Sequence, residues 1–412
     1  MTLRITCMNR HFLAIFFLLS ANIVVADQSL TIGNPIAPNR ADLQNAPVRT
    51  DIDLHRPASG SGSVSGVTYN WTSDSCSDSF KIKFFRRIGE TLRMSAERGP
   101  FAVSSDHAVS LVPQVPVQQG DLIGVTRLSG CGSPQTEAND LYTEGYVQFA
   151  GDISGSVDIG SGTKSSTFLG IFGQGVATEV LAAVIPVVGT ANGAFGSNFK
   201  TSLQVVNGID SWPPFAARLV FHPAHVPGSP GDPSITLAID GGQVIGFTDV
   251  VATMGQNGLG SIDVLIPPTA ILPTFVTRIY NTASSGGKTG LAEDDVIPTS
   301  QRLLHPGNYG ILICPSNPDR ERFNIGIRTL FSGAQVVAIL RSPTGGPRAK
   351  VVKHYSSSYF EQVDASTFFD GATIDADDWI QFQVQQGSAI IYGSTTDNVT
   401  NDAAIQFATW TF

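Results

Sequence analysis

The second half of the chain contains an internal repeat, and this feature constrains the fold more than any other. The apolar pattern of residues 197–223 returns at residues 321–345, and residues 261–266 match residues 379–384 in the same way. The aligned positions are Phe199 with Phe323, Leu203 with Ile327, Ala217 with Val337, and Leu219 with Ile339. Because a repeat of this kind marks one folding unit written twice, the pattern predicts two tandem copies of one domain.

The composition indicates that these domains are built from strands. Charged residues make up only 14% of the 412 residues, whereas Gly (42) and Pro (24) are abundant. Sequences of this type, rich also in Val, Thr, Ser and Phe, form short strands joined by tight turns. Each copy has about seven predicted strands whose alternation gives one buried and one wet face. We therefore predict an all-β protein of tandem antiparallel β-sandwich domains, the last two being an internal duplication.

The N-terminus has the pattern of a secretory signal peptide. Arg4 and Arg10 form a positively charged segment before an apolar run at residues 12–20, and cleavage is expected after Ala26. The run is short for a membrane span, and no later stretch reaches about 20 apolar residues. The sequence thus predicts a secreted protein (periplasmic, extracellular or at the cell surface) without stable membrane insertion after cleavage. An uncleaved anchor is the alternative.

Composition along the chain also divides it into segments. Residues 151–166 are rich in Gly and Ser and poor in bulky side chains, which favours a linker, with a terminal hairpin of the first domain as the alternative. Residues 176–184 have some helical character. The predicted segments are a signal peptide (1–26), an extended lead-in (27–50), an N-terminal β-domain (51–150), a Gly/Ser-rich linker (151–182), repeat 1 (183–300) and repeat 2 (301–412).

Net charge argues against one class of partner. The whole chain carries a formal net charge of −9, and loss of the two Arg residues in 1–26 changes it to −11. Nucleic-acid binding needs a basic surface, and no run of Lys and Arg occurs in the sequence. We expect no nucleic-acid partner.

Three cysteines remain after the predicted cleavage. Cys76 and Cys131 lie in the N-terminal domain beside turn-forming residues, and an exported protein meets an oxidising compartment, so we predict a disulfide between them. Cys314 is then left over and follows an apolar run. A buried free thiol is one interpretation, and an intermolecular or reactive thiol is the other.

Two groups of residues are candidates for ligand or metal binding. Trp212 and Phe215 stand in a Pro-containing loop between predicted strands, where aromatic rings can stack on a sugar or a peptide or can pack onto the end of the sandwich. Four carboxylates follow within one loop and could bind Ca²⁺, or could form a solvated acidic turn. These are Asp370, Asp375, Asp377 and Asp378.

Sequence motifs for catalysis are absent. The chain has no HExxH, no C-x-x-C and no G-x-S-x-G, and its GKT triplet at residues 287–289 lacks the first Gly of a phosphate loop. His222 and His225 flank a Pro and have no close acidic neighbour in the sequence, which favours a loop with two incidental histidines over a zinc site. We expect a non-enzymatic protein with no cofactor, calcium apart.

The second half resembles a known class of proteins. The segments VTRIYN at 276–281 and YGSTTDNVTND at 392–402 look like parts of tandem β-sandwich, immunoglobulin-like domains of uncharacterised exported bacterial proteins, which also occur as accessory modules of secreted enzymes. The resemblance covers about residues 183–412. It implies a β-sandwich and an extracellular setting, and it implies no catalytic residue.

These observations predict a secreted, non-enzymatic protein of surface interaction, acting in adhesion or in binding a polysaccharide or protein. Two alternatives stay open. One is a structural subunit of a surface assembly, held by edge strands or by Cys314. The other is an exported hydrolase whose site lies in the N-terminal domain or at a domain junction. Exposed aromatic residues would favour binding, and a cleft with clustered acids and histidines would favour catalysis.

Overall fold

The chain is described by a computed structural model over residues 29–35, 48–71, 79–88, 90–128, 136–137, 145–229, 231–282 and 288–411. Most of these residues lie in strands, few lie in helices, and the strand pairings are antiparallel. The predicted all-β fold is therefore confirmed. The predicted signal peptide lies outside the described residues.

The N-terminal unit is a sandwich whose core lies between two sheets. One sheet consists of β1, β3, β6 and the first half of β13, and the other has the order β10-β5-β4-β7-β2-β9-β11. Phe80, Ile82 and Ile123 from the second sheet pack against Leu30 and Ile171 from the first. The strands are β1 (Ser29–Gly33), β2 (Arg49–Asp53), β3 (Gly60–Tyr69), β4 (Ser79–Ile88), β5 (Thr91–Ala102), β6 (Ala108–Val117), β7 (Leu122–Arg127), β8 (Thr136–Glu137), β9 (Tyr146–Ala150), β10 (Ser156–Asp158), β11 (Thr163–Ser165), β12 (Phe168–Leu169) and β13 (Ile171–Asn192).

Two predicted segment types are wrong in this unit. The lead-in 27–50 contributes the strand β1, whose Leu30 and Ile32 are buried. The linker 151–182 instead forms β10, β11, β12 and the first half of β13, and no helix forms at 176–184. Its glycines serve close packing rather than flexibility, since a Cβ on Gly175 would lie 1.9 Å from the Ser63 carbonyl oxygen. The alternative, a terminal hairpin of the first domain, names the right unit, but β10 pairs with β5 and β11 pairs with β9 rather than with each other.

The middle unit begins in the second half of β13, so one strand of 22 residues belongs to two units. Its two half-sheets have the orders β16-β15-β18-β13 and β17-β14-β19-β20. Its core includes Leu203, Leu219 and Val264. The elements are β14 (Asn198–Val206), β15 (Phe215–Pro223), β16 (Ser234–Ile239), β17 (Val244–Phe247), α1 (Val250–Thr253), β18 (Gly258–Ile266), β19 (Thr274–Thr282) and β20 (Lys288–Glu293).

The C-terminal unit is built around two strands that run through both halves of its sandwich. β23 pairs with β26 along its length, with β25 over its first half and with β24 over its second half. The ladder between β23 and β26 is interrupted from Thr329 to Ala334, where β23 passes from one half-sheet to the other. The elements are β21 (Leu303–Leu304), β22 (Tyr309–Ile313), β23 (Glu321–Arg341), β24 (Pro347–Tyr355), β25 (Phe360–Asp364), α2 (Ala365–Phe368), β26 (Trp379–Asp397), β27 (Ala403–Phe407) and β28 (Trp410–Thr411).

The middle and C-terminal units have the same order of strand pairings. β15 pairs with β16 and β18, as the second half of β23 pairs with β24 and the first half of β26. β14 pairs with β17 and β19, as the first half of β23 pairs with β25 and the second half of β26. Each unit also has a one-turn helix capped by an Asp side chain, Asp249 or Asp364. This is the arrangement that a duplication would leave, and common descent of the two units stays a prediction.

The sequence alignment of the repeats is out of register by one residue in its second part. Leu219 faces the core of the middle unit and lies opposite Val264, whereas Ile339 lies opposite Gln381 on the outer face. The residue that faces the C-terminal core opposite Phe382 is Ala338. Because side chains alternate along a strand, a shift of one residue exchanges the two faces. Leu219 therefore corresponds to Ala338 and not to Ile339.

Candidate functional site

The middle and C-terminal units meet in an interface that combines backbone hydrogen bonds, apolar contacts and buried charges. The His225 amide donates to the Phe360 carbonyl at 2.8 Å, and the Gly228 amide donates to the Ser357 carbonyl at 3.2 Å. Val187 of the middle unit and Tyr392 of the C-terminal unit are buried in one apolar cluster. The two units are thus held in one relative position.

Buried charged side chains join the two units at one end of this interface. His222 lies between two carboxylates, with Nδ1 2.6 Å from Asp232 and Nε2 3.0 Å from Asp263. The second oxygen of Asp263 accepts a hydrogen bond of 2.5 Å from Arg328 of the C-terminal unit, whose side chain is completely buried. We call these four residues the His222 cluster. Its two positive and two negative groups balance, which is the condition under which buried charges are tolerated.

The protonation of the cluster follows from its geometry. Burial alone would lower the pKa of His222, but attraction by Asp263 and hydrogen bonding to both carboxylates outweigh burial and raise it. Burial alone would raise the pKa of Asp263, but Arg328 and His222 outweigh burial and lower it to about 2. The geometry thus favours the imidazolium form of His222, with both N–H groups donated. In this state it has no free nitrogen to accept a proton from a serine nucleophile.

The stability of the interface should depend on pH through His222. A histidine whose pKa is raised by folding stabilises the fold fully below its unfolded pKa of about 6.5, and this contribution is lost as pH rises through the folded pKa. We expect the difference in free energy of unfolding between the wild-type protein and His222→Gln to be largest in mildly acidic solution and to shrink above neutral pH. Denaturant titrations at a series of pH values measure it. A difference that is constant with pH would contradict this assignment.

A cleft opens at the other end of the same interface. Along β23 the interface runs from Arg328 to Gly326, which lies directly beneath the ring of Tyr392, and then to Asn324 and Arg322. A Cβ on Gly326 would come within 2.0 Å of the Tyr392 ring, so glycine is required there. Beyond Tyr392 the two units diverge. We call the space between them the interunit cleft.

The two walls of the interunit cleft differ in chemistry. The middle unit supplies an apolar wall that includes Val187, Leu259, Ile279 and Leu291. The C-terminal unit supplies a largely polar wall from alternate residues of β23 and β26 and from one residue of β25, with Ile405 of β27 beside them. The polar side chains of this wall are Arg322, Asn324, Gln362, Tyr392, Ser394 and Thr396.

Part of the polar wall has unused hydrogen-bonding capacity. Tyr392 donates to Gln362 at 2.8 Å, and Arg322 donates to Asn398 and Asn401 at the mouth of the cleft. By contrast, the side chains of the other three polar residues make no hydrogen bond to any residue in the described ranges; they are Asn324, Ser394 and Thr396. Thr396 is only 4% exposed. A small molecule in the cleft would find donors and acceptors on one side and hydrocarbon on the other.

A buried carboxyl group lies behind the apolar wall. Glu293 accepts a hydrogen bond of 2.8 Å from the backbone amide of Val187, and its second oxygen has no partner among the described residues. Burial, with a smaller contribution from Asp294 and Asp295, raises the pKa of Glu293 well above its ordinary value. The raised pKa favours the neutral form of Glu293, which leaves the apolar wall uncharged.

Trp212 and Phe215, the aromatic residues predicted to bind a ligand, lie away from this cleft. The ring of Trp212 lies across Gly208, where an added Cβ would be 2.1 Å from it. Phe215 is half-buried and packs against the core of the middle unit. Both residues thus contribute to packing at the end of the sandwich, which was the alternative interpretation of this loop.

The four carboxylates predicted to bind calcium are engaged with other side chains. The contacts are Asp370 with Lys353, Asp375 and Asp378 with Arg348, and Asp377 with the Ser316 hydroxyl. Within the described ranges, no group of three or more His, Cys, Asp or Glu side chains is arranged to hold a metal ion. The calcium hypothesis therefore rests on the sequence pattern alone.

Of the three cysteines that remain after the predicted cleavage, the structure describes Cys314. Cys76 and Cys131, the predicted disulfide partners, both lie outside the described residues. Cys314 is a buried free cysteine. Burial, together with the nearby negative charge of Asp378, raises the pKa of its thiol to about 12. A thiol of this kind is poorly reactive, in agreement with its interpretation as a buried free cysteine.

No protein-family model matches this chain, and no curated protein matches it. Among the described residues, no helix has the length and apolar character needed to cross a membrane.

Sequence reasoning missed the two features that define the interface. His222 was weighed as a zinc ligand with His225, whereas its partners are Asp232 and, from a paired strand, Asp263. The polar wall did leave a signal, because Tyr392, Ser394 and Thr396 alternate along one strand with residues of the opposite face. Such alternation shows which side chains share a face, but it does not show that another unit stands opposite.

Proposed function

We propose that this protein is a secreted, non-enzymatic binding protein whose interunit cleft holds a saccharide, such as one or two units of a longer polysaccharide. The observation that carries the proposal is the pairing of an apolar wall with a polar wall on which the side chains of Asn324, Ser394 and Thr396 have no hydrogen-bond partner within the described ranges. A sugar ring has C–H groups on its faces and hydroxyl groups around its rim. It can therefore pack on Leu259 and Ile279 while its hydroxyls bond the opposite wall.

The chemistry of the cleft favours binding over hydrolysis. Enzymes that cleave glycosidic bonds use a pair of carboxyl groups in contact with the substrate. Within the described part of the chain, the residues that line the interunit cleft include no Asp, Glu or His. The nearby Glu293 is turned toward the Val187 backbone, and both ring nitrogens of His222 are hydrogen-bonded to carboxylates. The hydrolase alternative therefore gains no support from either place.

The test is a binding measurement with variants of the polar wall. We expect a glycan array to give a ligand for the exported protein, and the corresponding soluble oligosaccharide then gives a dissociation constant by calorimetry. Each of Ser394→Ala and Asn324→Leu should weaken binding about fivefold, since each removes one net hydrogen bond of about 1 kcal/mol. The matched control is Thr395→Val, because Thr395 follows Ser394 on the same strand and points to the opposite face.

Two outcomes would contradict the proposal. One is a protein that binds no glycan on the array, and the other is a loss of affinity in Thr395→Val equal to that in Ser394→Ala. Repeating the measurement with a chelator tests the calcium hypothesis in the same experiment. The proposed secretion is tested separately by the N-terminal sequence of the exported protein, which should begin at Asp27.

A further inference from the structure

One face of the C-terminal unit carries a row of exposed apolar side chains. On β22, Tyr309, Ile311 and Ile313 point outward, and Ile313 is 58% exposed. Trp379 lies opposite Ile313 on β26, and Val352 of β24 is also exposed. We call this surface the open face; it consists of the outward side chains of β22, β24, the second half of β23 and the first half of β26. Contiguous apolar surface of this kind marks interaction sites.

The open face is also basic, although the chain as a whole is acidic. Its charged residues are Arg341, which stacks on Trp379 with 5.3 Å from the guanidinium carbon to the ring centre, and the exposed Lys350. The four strand segments that form the face contain no Asp or Glu. Trp, Tyr and Arg are the residue types that contribute most to protein interfaces. A complementary partner would present apolar side chains together with carboxylates.

The corresponding face of the middle unit is already an interface. By strand pairing, Val220 and His222 occupy the positions of Ile339 and Arg341. Val220 is only 2% exposed and His222 is buried. They line the junction that Phe331 and Ser358 of the C-terminal unit help to close. These two residues lie where β23 bends and in the turn between β24 and β25. A bend and its adjoining turn in one unit thus help to cover the sheet face of the unit before it, here together with Gln119 and Gly120 of the N-terminal unit.

The same bend and turn in the middle unit are uncovered. Residues 207–214 connect β14 to β15, and residues 240–243 connect β16 to β17; we call these two segments the middle-unit corner. Ile209 in this corner is 61% exposed, and the side chains of Asp210 and Asp240 are exposed beside it. The corner therefore offers an apolar residue and two carboxylates. The apolar residue can pack on the isoleucines of the open face, and the two carboxylates are complementary to the positive charges of Arg341 and Lys350.

We propose that the open face binds the middle-unit corner of a second copy of this chain. The contact repeats between molecules the arrangement that joins the middle and C-terminal units within one molecule. It is heterologous, since the two surfaces are different. A dimer therefore keeps one free open face and one free corner, and chains of molecules can grow. The inference does not depend on the saccharide proposal, because neither surface includes the polar wall of the interunit cleft.

Sedimentation velocity of the purified protein over a series of concentrations up to about 100 µM tests the proposal. We expect the wild-type protein to form dimers and longer species as concentration rises. Ile313→Asp, which damages the open face, and Ile209→Asp, which damages the corner, should each be monomeric. An equimolar mixture of the two variants should form a dimer and nothing larger, because each still has one intact surface. Val399→Asp, a control at a residue that is 77% exposed elsewhere, should behave as wild type.

The remaining outcomes overturn the proposal. A wild-type protein that stays monomeric at every concentration excludes the contact. Association that Ile313→Asp abolishes but Ile209→Asp leaves intact would indicate a symmetric contact between two open faces instead. A second pair of variants guards against misfolding: Lys350→Glu and Asp240→Lys should each weaken association. An equimolar mixture of the two should recover it, because the reversed face of one variant matches the reversed corner of the other and the two unchanged surfaces also match. Association unchanged in both charge variants would also contradict the proposal.

Discussion

Replacing Asp263 by Ala should cost about 3–5 kcal/mol of unfolding free energy, the cost of breaking a buried ion pair from one side. Asp263 joins the two units by accepting hydrogen bonds from His222 and from Arg328. Without its carboxylate, the completely buried Arg328 keeps only a backbone carbonyl as partner, and its Nε already has no partner among the described residues. The remaining positive charges of His222 and Arg328 would then face each other in a medium that screens them poorly.

Chemical denaturation of the wild-type protein and of Asp263→Ala at neutral pH measures this cost. Asp294→Ala is the matched control, because Asp294 forms an exposed ion pair with Arg302 at 2.8 Å. Exposed pairs contribute about 0–1 kcal/mol, so the control should lie close to wild type. Equal effects of the two substitutions would mean that the His222 cluster contributes nothing beyond a surface ion pair.

Replacing Phe382 by Ala should destabilise the C-terminal unit by a similar amount, about 3–5 kcal/mol. The Phe382 side chain is fully buried between the half-sheets and contacts the ring of Phe368 edge-on, with 6.1 Å between ring centres. Truncation removes this contact and leaves a cavity that β23 and β26 cannot close without breaking their ladder.

The neighbouring residue provides the control for this core substitution. Gln383 follows Phe382 on β26 and points to the open face, so Gln383→Ala should change the unfolding free energy by no more than about 0.5 kcal/mol. Thermal or chemical unfolding of both variants measures the difference. A large loss in Gln383→Ala with a small loss in Phe382→Ala would mean that the face of β26 has been assigned the wrong way round.

The alternation of side chains made much of the fold predictable. Residues 122–126, for example, are mostly apolar and follow a Pro- and Gly-containing turn, a pattern typical of a strand, and they form β7 (Leu122–Arg127). The predicted linker was wrong because Gly and Ser have two opposite uses. They give a free chain its flexibility, and they also let strands approach closely, as Gly175 does against Ser63. Only the position of the partner strand separates these two uses.

The candidate site was less accessible, because its residues are far apart in sequence. The two walls of the interunit cleft come from Val187 and Leu259 on one side and from Asn324 and Thr396 on the other. Each wall follows from local alternation, but their meeting depends on how two units are joined. Single residues are equally ambiguous. An aromatic side chain such as Trp212 can stack on a ligand, but here its ring packs over Gly208, which has no side chain in the way. The local sequence does not show which of these two contacts the ring makes.

The strand β13 gives the molecule a mechanical property. Its first half, as far as Val180, is bonded to β3, and its second half, from Val180 onward, is bonded to β18. Tension passing from the N-terminal unit into the middle unit therefore runs along one strand and loads two antiparallel ladders in shear, so that many hydrogen bonds must break together. A flexible tether would let the two units separate under a pull before either unfolded, whereas here the joint is as strong as the sheets that share it.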